Sequence, residues 1–383
     1  MFSFVISDFL VLGGGMAGAS AGYFLGESGR VRLLEMESAL GYHSTGRSAA
    51  LFSEYYGGRV VRALTAASRT FFTSPPPGFA APLLSPRAVV ALGPVGFEER
   101  FAAVLADGLT APTPVREIGP AEVQRYCPVV RPGWYSRAML KPAAMDIDVD
   151  ALHQGFLRGI RARGGQVVTS ARVRGLSRRR GLWCAVTDAG EFRAPVVLNA
   201  AGAWADEVAG LAGVPRIGLT PMRRTAFLAD QPAGVAVDRW PMVTDVTDTF
   251  YFKPESGRLL ISPADATPMP PGDVRPDDLD IALAAARVEA STTLVIRQVR
   301  QAWAGLRSSV PDDVPVIGEA PGAPGFCWLA ALGGYGIQTA PAAGRLAAAL
   351  ATSARPDDGP LAVGIEPAEL APGRAQAAGH AAA

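Results

Sequence analysis

Apolar residues come in short unbroken runs near the start of the chain. Residues 9–12 (FLVL) are one of them, the pattern of a strand buried on both faces of a parallel sheet, and 31–34 (VRLL) reads as a second strand. Over residues 17–28, Ala17, Ala21, Phe24 and Leu25 recur at helical spacing, and Gly29 supplies a stop. Strand, helix and strand in that order predict a βαβ opening. Farther on, residues 81–93, 222–229, 249–252 and 258–262 read as strands, the last two joined by a turn over 254–257. A helix is expected over 150–163, opened by Asp150, and 194–200 (APVVLNA) suits a central sheet. An Ala-rich helix starts at Ala340, and beyond Thr352 the chain turns to Ala, Pro and Gly, a tail expected to be surface-bound or frayed. The pattern predicts an α/β plus β protein. A Rossmann-like cofactor domain would comprise residues 1–80, 146–220 and 305–352, interrupted by a mostly antiparallel substrate-binding domain from 81–145 and 221–304, with 353–383 as the tail.

The 383 residues, 49% hydrophobic and 19% charged, are enough for two to three domains of about 150 residues each. A formal net charge of +1 lacks the excess of cations that marks a nucleic-acid or polybasic membrane partner. Cys127, Cys184 and Cys327 are scattered without a CxxC pair, which excludes a disulfide framework and makes the cytoplasm the expected location. His43, His153 and His380 show no metal-ligand spacing, so no metal is expected; His43 and His153 read as structural. The apolar N-terminus has no basic start and is broken by Asp8, unlike a signal peptide. No membrane span is expected. A soluble monomer or homodimer is expected.

The first chemistry-bearing motif is Gly13-Gly14-Gly15-Met16-Ala17-Gly18, a GxGxxG directly after a strand and opening a helix. Gly13 allows the tight turn, Gly15 lets a pyrophosphate approach the backbone, and Gly18 lets helix pack on strand. Unpaired N–H groups and the helix dipole favour an anion there. Glu35 ends the second strand, where a carboxylate accepts from ribose hydroxyls and disfavours a 2′-phosphate. FAD and NAD remain open on this motif. Two further segments favour FAD. The stretch 42–50 (YHSTGRSAA) is small, polar and cationic, suited to line a pyrophosphate and a flavin ring. Gly333-Gly334-Tyr335-Gly336-Ile337-Gln338 precedes the helix at Ala340, a second glycine-to-helix junction that offers N–H groups to the anionic edge of a reduced flavin.

GGGMAG, Glu35, YHSTGRSAA, 199–204 (NAAGAW), 303–307 (WAGLR), 315–318 (PVIG) and GGYGIQT occur in this order. That order resembles the D-amino acid oxidase-like family of flavoproteins over roughly residues 6–350. The nearest likeness, through VRALTAASR, PLLSPR, DALHQG and FYFKP, is to bacterial D-arginine dehydrogenases. The resemblance implies a two-domain enzyme with non-covalent FAD that takes a hydride from Cα of a D-amino acid, giving an imino acid that hydrolyses to a 2-oxo acid and ammonia. It implies Tyr56, Arg224, Tyr251 and Arg307 as the residues that grip and orient substrate, with Gly305 and Gly334 beside them. Around the cofactor it implies Gly13, Gly15, Met16, Ala17, Gly18, Glu35, Met36, Ser44, Thr45, Arg47, Ser48, Ala49, Val173, Ala201, Gly202, Trp204 and the 333–338 segment. Arginine suits the task, since its planar fork meets a carboxylate through two charge-assisted bonds. Arg223 should point to the opposite face of the strand that carries Arg224.

Two departures bear on substrate. Where D-arginine dehydrogenases have a histidine after GRSAA this chain has Leu51, and where they hold the basic side chain with a glutamate it has Val89. A buried guanidinium without a carboxylate is costly, so a neutral or apolar side chain is expected over D-arginine. Glu54 is read as an exposed loop residue or, alternatively, as a replacement anchor in the pocket. Two other functions compete: oxidation of a secondary or cyclic amine such as sarcosine or proline, and a catalytically silent FAD-bearing subunit. The sequence leaves the electron acceptor open among a quinone, a carrier protein and oxygen.

Overall fold

The computed structural model describes residues 6–113, 115–353 and 364–374. A six-stranded sheet runs in the order Val316–Glu319, Phe326–Ala330, Val196–Asn199, Phe9–Leu12, Val31–Leu34, Gln166–Val168. All its pairings are parallel except that of the edge strand Val316–Glu319. Alternate residues of the central strand serve two cores. Phe9 and Val11 pack under the helices Met16–Leu25, Val149–Ala162 and Ala340–Ala351, while Leu10 and Leu12 pack against a small antiparallel sheet carrying Trp183 and Phe192. Both faces are covered, which is why the strand reads as an unbroken apolar run.

The second large sheet has nine strands, chiefly antiparallel, with Val89–Pro94 and Met242–Asp245 paired in parallel. Its longest members, Thr220–Asp230 and Val299–Ser309, pair along their whole length. Residue 305, expected at a segment boundary, lies inside the second of these. One face of this sheet buries Phe227, Phe250, Phe252 and Ile261 beneath the helix Asp278–Ser291; the other faces the six-stranded body across a cleft.

Local chemistry moves several element ends. The stretch 81–93 is two strands, Leu84–Pro86 and Val89–Pro94. They part at Arg87, whose guanidinium is tied to Asp146 and the carbonyls of Asp238 and Trp240. The helix expected over 150–163 is capped by Asp148, not Asp150, because Asp148 has the extended backbone of a cap and accepts from Ala151 N at 2.9 Å. The first helix stops at Leu25, three residues early, with Gly26 as its cap. In the expected tail, Ile365 and Leu370 are buried and Leu370 O accepts from Ile317 N at 2.9 Å, so residues 364–374 dock on the six-stranded sheet. Residues 354–363 and 375–383, with His380, lie outside the described residues.

Candidate active site

A cavity of about 590 Å3 occupies the cleft. Its first end is built by the glycine turn. Gly13 has φ +110°, and a Cβ there would lie 2.4 Å from Ala200 O; a Cβ at Gly18 would lie 1.9 Å from Gly13 O. Gly18 accordingly sits behind the cavity wall, packing helix on strand, while Gly13, Gly15, Met16 and Ala17 line the cavity. The Glu35 carboxylate is buried at the strand end, accepting from Gly14 N at 2.7 Å and Glu37 N at 2.9 Å. His153 supports the turn from behind by donating from Nε2 to Gly14 O at 2.9 Å, and burial lowers its pKa. His43 pairs with Glu37 and lies against the Trp204 ring. These residues fit a dinucleotide: the turn has no room for side chains, the Glu35 carboxylate lines the cavity beside it, and a helix N-terminus faces the cleft.

Met36, Ser44, Thr45, Arg47, Ser48, Ala49, Val173, Ala201, Gly202 and Trp204 line the same cavity, as do Gly333, Gly334, Gly336, Ile337 and Gln338. Some of these side chains are engaged within the protein. Arg47 is ion-paired with Asp273 at 2.6 Å and donates to Ala304 O, tying the 42–50 segment to the nine-stranded sheet. The Gln338 amide accepts from Ser53 N and donates to Thr65 Oγ1. Tyr335 is not in the cavity wall; its ring stands edge-on to Tyr56, centroids 4.8 Å apart. Cys327 is buried in the sheet, its thiol pushed up to about 12 by desolvation, and does not line the cavity.

The middle of the cavity holds the two arginines. Arg224 pairs across the ladder with Gly305, and Arg307 with Met222, so the guanidinium-bearing positions are diagonal neighbours on one face. Among the described residues neither has a carboxylate within ion-pair distance. Arg307 Nη1 lies 3.4 Å from the Tyr56 hydroxyl, and Arg224 Nε is buried without a hydrogen-bond partner. Burial first, then the Arg307 charge, lowers the Arg224 pKa. Arg223 turns to the opposite face and is neutralised by Asp265 and Asp280. Tyr251 is buried beside the pair, and Gly334 has its Cα against Arg307: a Cβ there would lie 2.9 Å from Nη1. Two adjacent cations without an anion form a site for an anion.

Leu51 and Val89 line the far end, together with Ala91, Met242 and Thr244. Glu54 does not. It is 4% exposed and clamped by both Arg69 Nε and Nη2, behind the wall, which overturns both its exposure and its use as a pocket anchor. Glu54→Gln is expected to cost about 1–3 kcal/mol of stability by weakening a buried charged pair, read as a lower Tm. The ratio of rates on basic and neutral donors should not change; a selective loss on basic donors would return Glu54 to the pocket. The residue that sequence reasoning missed is Lys141, which lines this end with its Nζ 3.6 Å from the Tyr55 ring centroid. Desolvation lowers its pKa to about 7. Nothing in its neighbourhood KPAAMD marks it; only the alternation of the strand Tyr135–Lys141 turns it inward with the buried Met139.

Among the described residues no helix is long and apolar enough to cross a membrane, and no group of three or more His, Cys, Asp or Glu could hold a metal ion. A profile of the family described as "DAO: FAD dependent oxidoreductase" matches residues 8–350. Glycine oxidase of Pseudomonas aeruginosa is 31% identical over 194 residues, 49% of this chain and 48% of that protein. Mitochondrial dimethylglycine dehydrogenase of Homo sapiens is 24% identical over 355 residues, 86% of this chain and 41% of that protein. The matches span less than half the length of these two curated relatives. Among solved structures, the L-alpha-glycerophosphate oxidase of Mycoplasma pneumoniae superposes with a TM-score of 0.82 at 17% identity, covering 93% of this chain and 98% of that one. At that identity the likeness concerns the fold alone.

Proposed function

Because the chain belongs to the DAO family of FAD-dependent oxidoreductases, we propose that it oxidises the CH–NH bond of an amino acid, taking a D-amino acid with a non-basic side chain. The observation that carries this reading is the pair Arg224 and Arg307, adjacent and without a carboxylate partner in the cavity. Bound FAD supplies the two-electron acceptor. Arg307 and Arg224 grip the substrate carboxylate in bidentate fashion, and the Tyr56 hydroxyl beside Arg307 adds a third donor. Tyr251 closes the same corner and orients the amine. The two cations and the dry wall also lower the ammonium pKa of a bound amino acid, favouring the neutral amine whose lone pair assists hydride departure from Cα. The imino acid released hydrolyses to a 2-oxo acid and ammonia.

The D configuration rests on the resemblance of the ordered motifs to those of D-arginine dehydrogenases, and rejection of D-arginine on Val89 in the cavity wall. The relation to dimethylglycine dehydrogenase favours a second reading, oxidation of an N-alkylated or cyclic amino acid with the same carboxylate grip. The test is anaerobic bleaching of the flavin absorbance by D- and L-leucine, phenylalanine, methionine, arginine and proline, with sarcosine. Bleaching by D-leucine or D-phenylalanine and not by D-arginine is the expected result. Bleaching by sarcosine or proline alone would establish the second reading. No bleaching by any of them, nor by glutamate or 2-aminoadipate in either configuration, would sink both and leave a silent FAD-bearing subunit.

A further inference from the structure

The nine-stranded sheet forms a continuous floor from the arginine pair to Lys141. Met242 pairs across the ladder with Val89, Thr244 with Ala91, and Val89 with Lys141. Cross-strand partners share a face, and all five line the cavity. Cationic groups therefore stand at both ends of an apolar stretch. The charged groups around Lys141 do not neutralise it: Arg62 is paired with Asp107, Arg100 donates to Val246 O at 3.3 Å, and Asp248 is exposed and outside ion-pair distance. Its close contact is the face of the Tyr55 ring. Asp107 and Asp248 line the same cavity and attract Lys141 from beyond ion-pair distance. A lysine in a desolvated wall without a paired carboxylate is unfavourable in the free protein, and an anion entering the cavity would relieve that cost while a guanidinium would add to it.

We propose that Lys141 is a specificity-determining residue and that the substrate is an amino acid whose side chain ends in a carboxylate, with Arg224 and Arg307 holding the α-carboxylate and Lys141 the distal one. This rests on the amine-oxidation reading and narrows it. Chain length is set by the apolar stretch between the two ends.

The test uses the purified flavoprotein, with kcat/KM from flavin reduction for glutamate, 2-aminoadipate, 2-aminopimelate and 2-aminosuberate, each against the neutral donor of equal length and in both configurations. At the best length the acid is expected to exceed its neutral counterpart by about ten- to a hundredfold, the range of a hydrogen bond between charged groups. Lys141→Met should bring that ratio to about one, and Lys141→Glu should invert it and raise the rate on lysine or arginine. Lys141→Arg should keep the acid preference. An acid-to-neutral ratio at or below one in the parent protein, or one that survives Lys141→Met, would overturn the proposal and leave Lys141 as a support for Tyr55. Should no amino acid reduce the flavin, the amine-oxidation reading fails. The distal site is then decided by titrating glutarate, adipate and pimelate against the flavin spectrum. Perturbation by a dicarboxylate in the parent and not in Lys141→Met upholds an anion site there, and equal perturbation in both rejects it.

Discussion

Arg307→Met is expected to lower kcat/KM for every amino-acid donor by about 30- to 1,000-fold, because one half of a desolvated carboxylate grip is worth about 2–4 kcal/mol. The effect is electrostatic. Arg224 and Arg307 are diagonal neighbours on one sheet face, neither has an acidic partner among the described residues, and the Arg307 charge lowers the Arg224 pKa. Such a pair is unfavourable in the free protein and becomes favourable only when an anion bridges it. Removing Arg307 therefore relieves repulsion before substrate arrives, and Tm is expected to hold or rise as catalysis falls. Arg224→Met should behave alike. Arg223→Met provides the contrast: its partners Asp265 and Asp280 would be left unpaired on the far face, so stability falls and substrate recognition does not. The loss should be greater in kcat/KM than in kcat at saturating donor, since the grip acts first on binding. An Arg307→Met protein that retained FAD and full kcat/KM would remove the carboxylate grip from this site.

What the sequence disclosed and what it hid divide by the range of the interaction. The glycine turn, the helix behind it and Glu35 were legible because each rests on a local rule: a strand end, a turn that forbids Cβ, a carboxylate one strand over. The opposite orientations of Arg223 and Arg224 follow from strand alternation alone. Glu54 misled because its partner Arg69 sits on the facing side of the following helix, and no local pattern distinguishes a loop glutamate in water from one clamped in a wall. Gln338 and Arg47 line the cavity where expected, yet their polar groups join distant segments, Ser53 and Thr65 in one case and Asp273 in the other. Lys141 was invisible for the same reason: its neighbours Tyr55 and Arg62 on one side and Asp248 on the other come from stretches far from it in the chain. The C-terminal segment looked like tail because its composition is poor in large apolar residues, and two of the few it has, Ile365 and Leu370, are the ones that dock.

Gly13→Ala should produce a protein that emerges from desalting without its flavin colour. Two costs add at this position. An alanine at φ +110° is strained by about 1–3 kcal/mol. Its Cβ would also lie 2.4 Å from Ala200 O and 2.9 Å from Ala200 C, backbone atoms of the neighbouring loop that cannot rotate away as a side chain would. Relief requires the turn to move outward, toward the space a pyrophosphate needs, so the cofactor loses the close backbone approach on which its binding depends. FAD and the turn stabilise one another, and a protein without bound FAD loses that contribution to Tm as well. Gly119→Ala is the matched control: Gly119 has φ −85° and nothing within 4 Å of an added Cβ, so Tm and flavin content should stay close to those of the parent. If Gly13→Ala kept stoichiometric FAD with an unchanged Tm, the turn would have room the structure denies it, and the dinucleotide cradle would have to be sought elsewhere in the cleft.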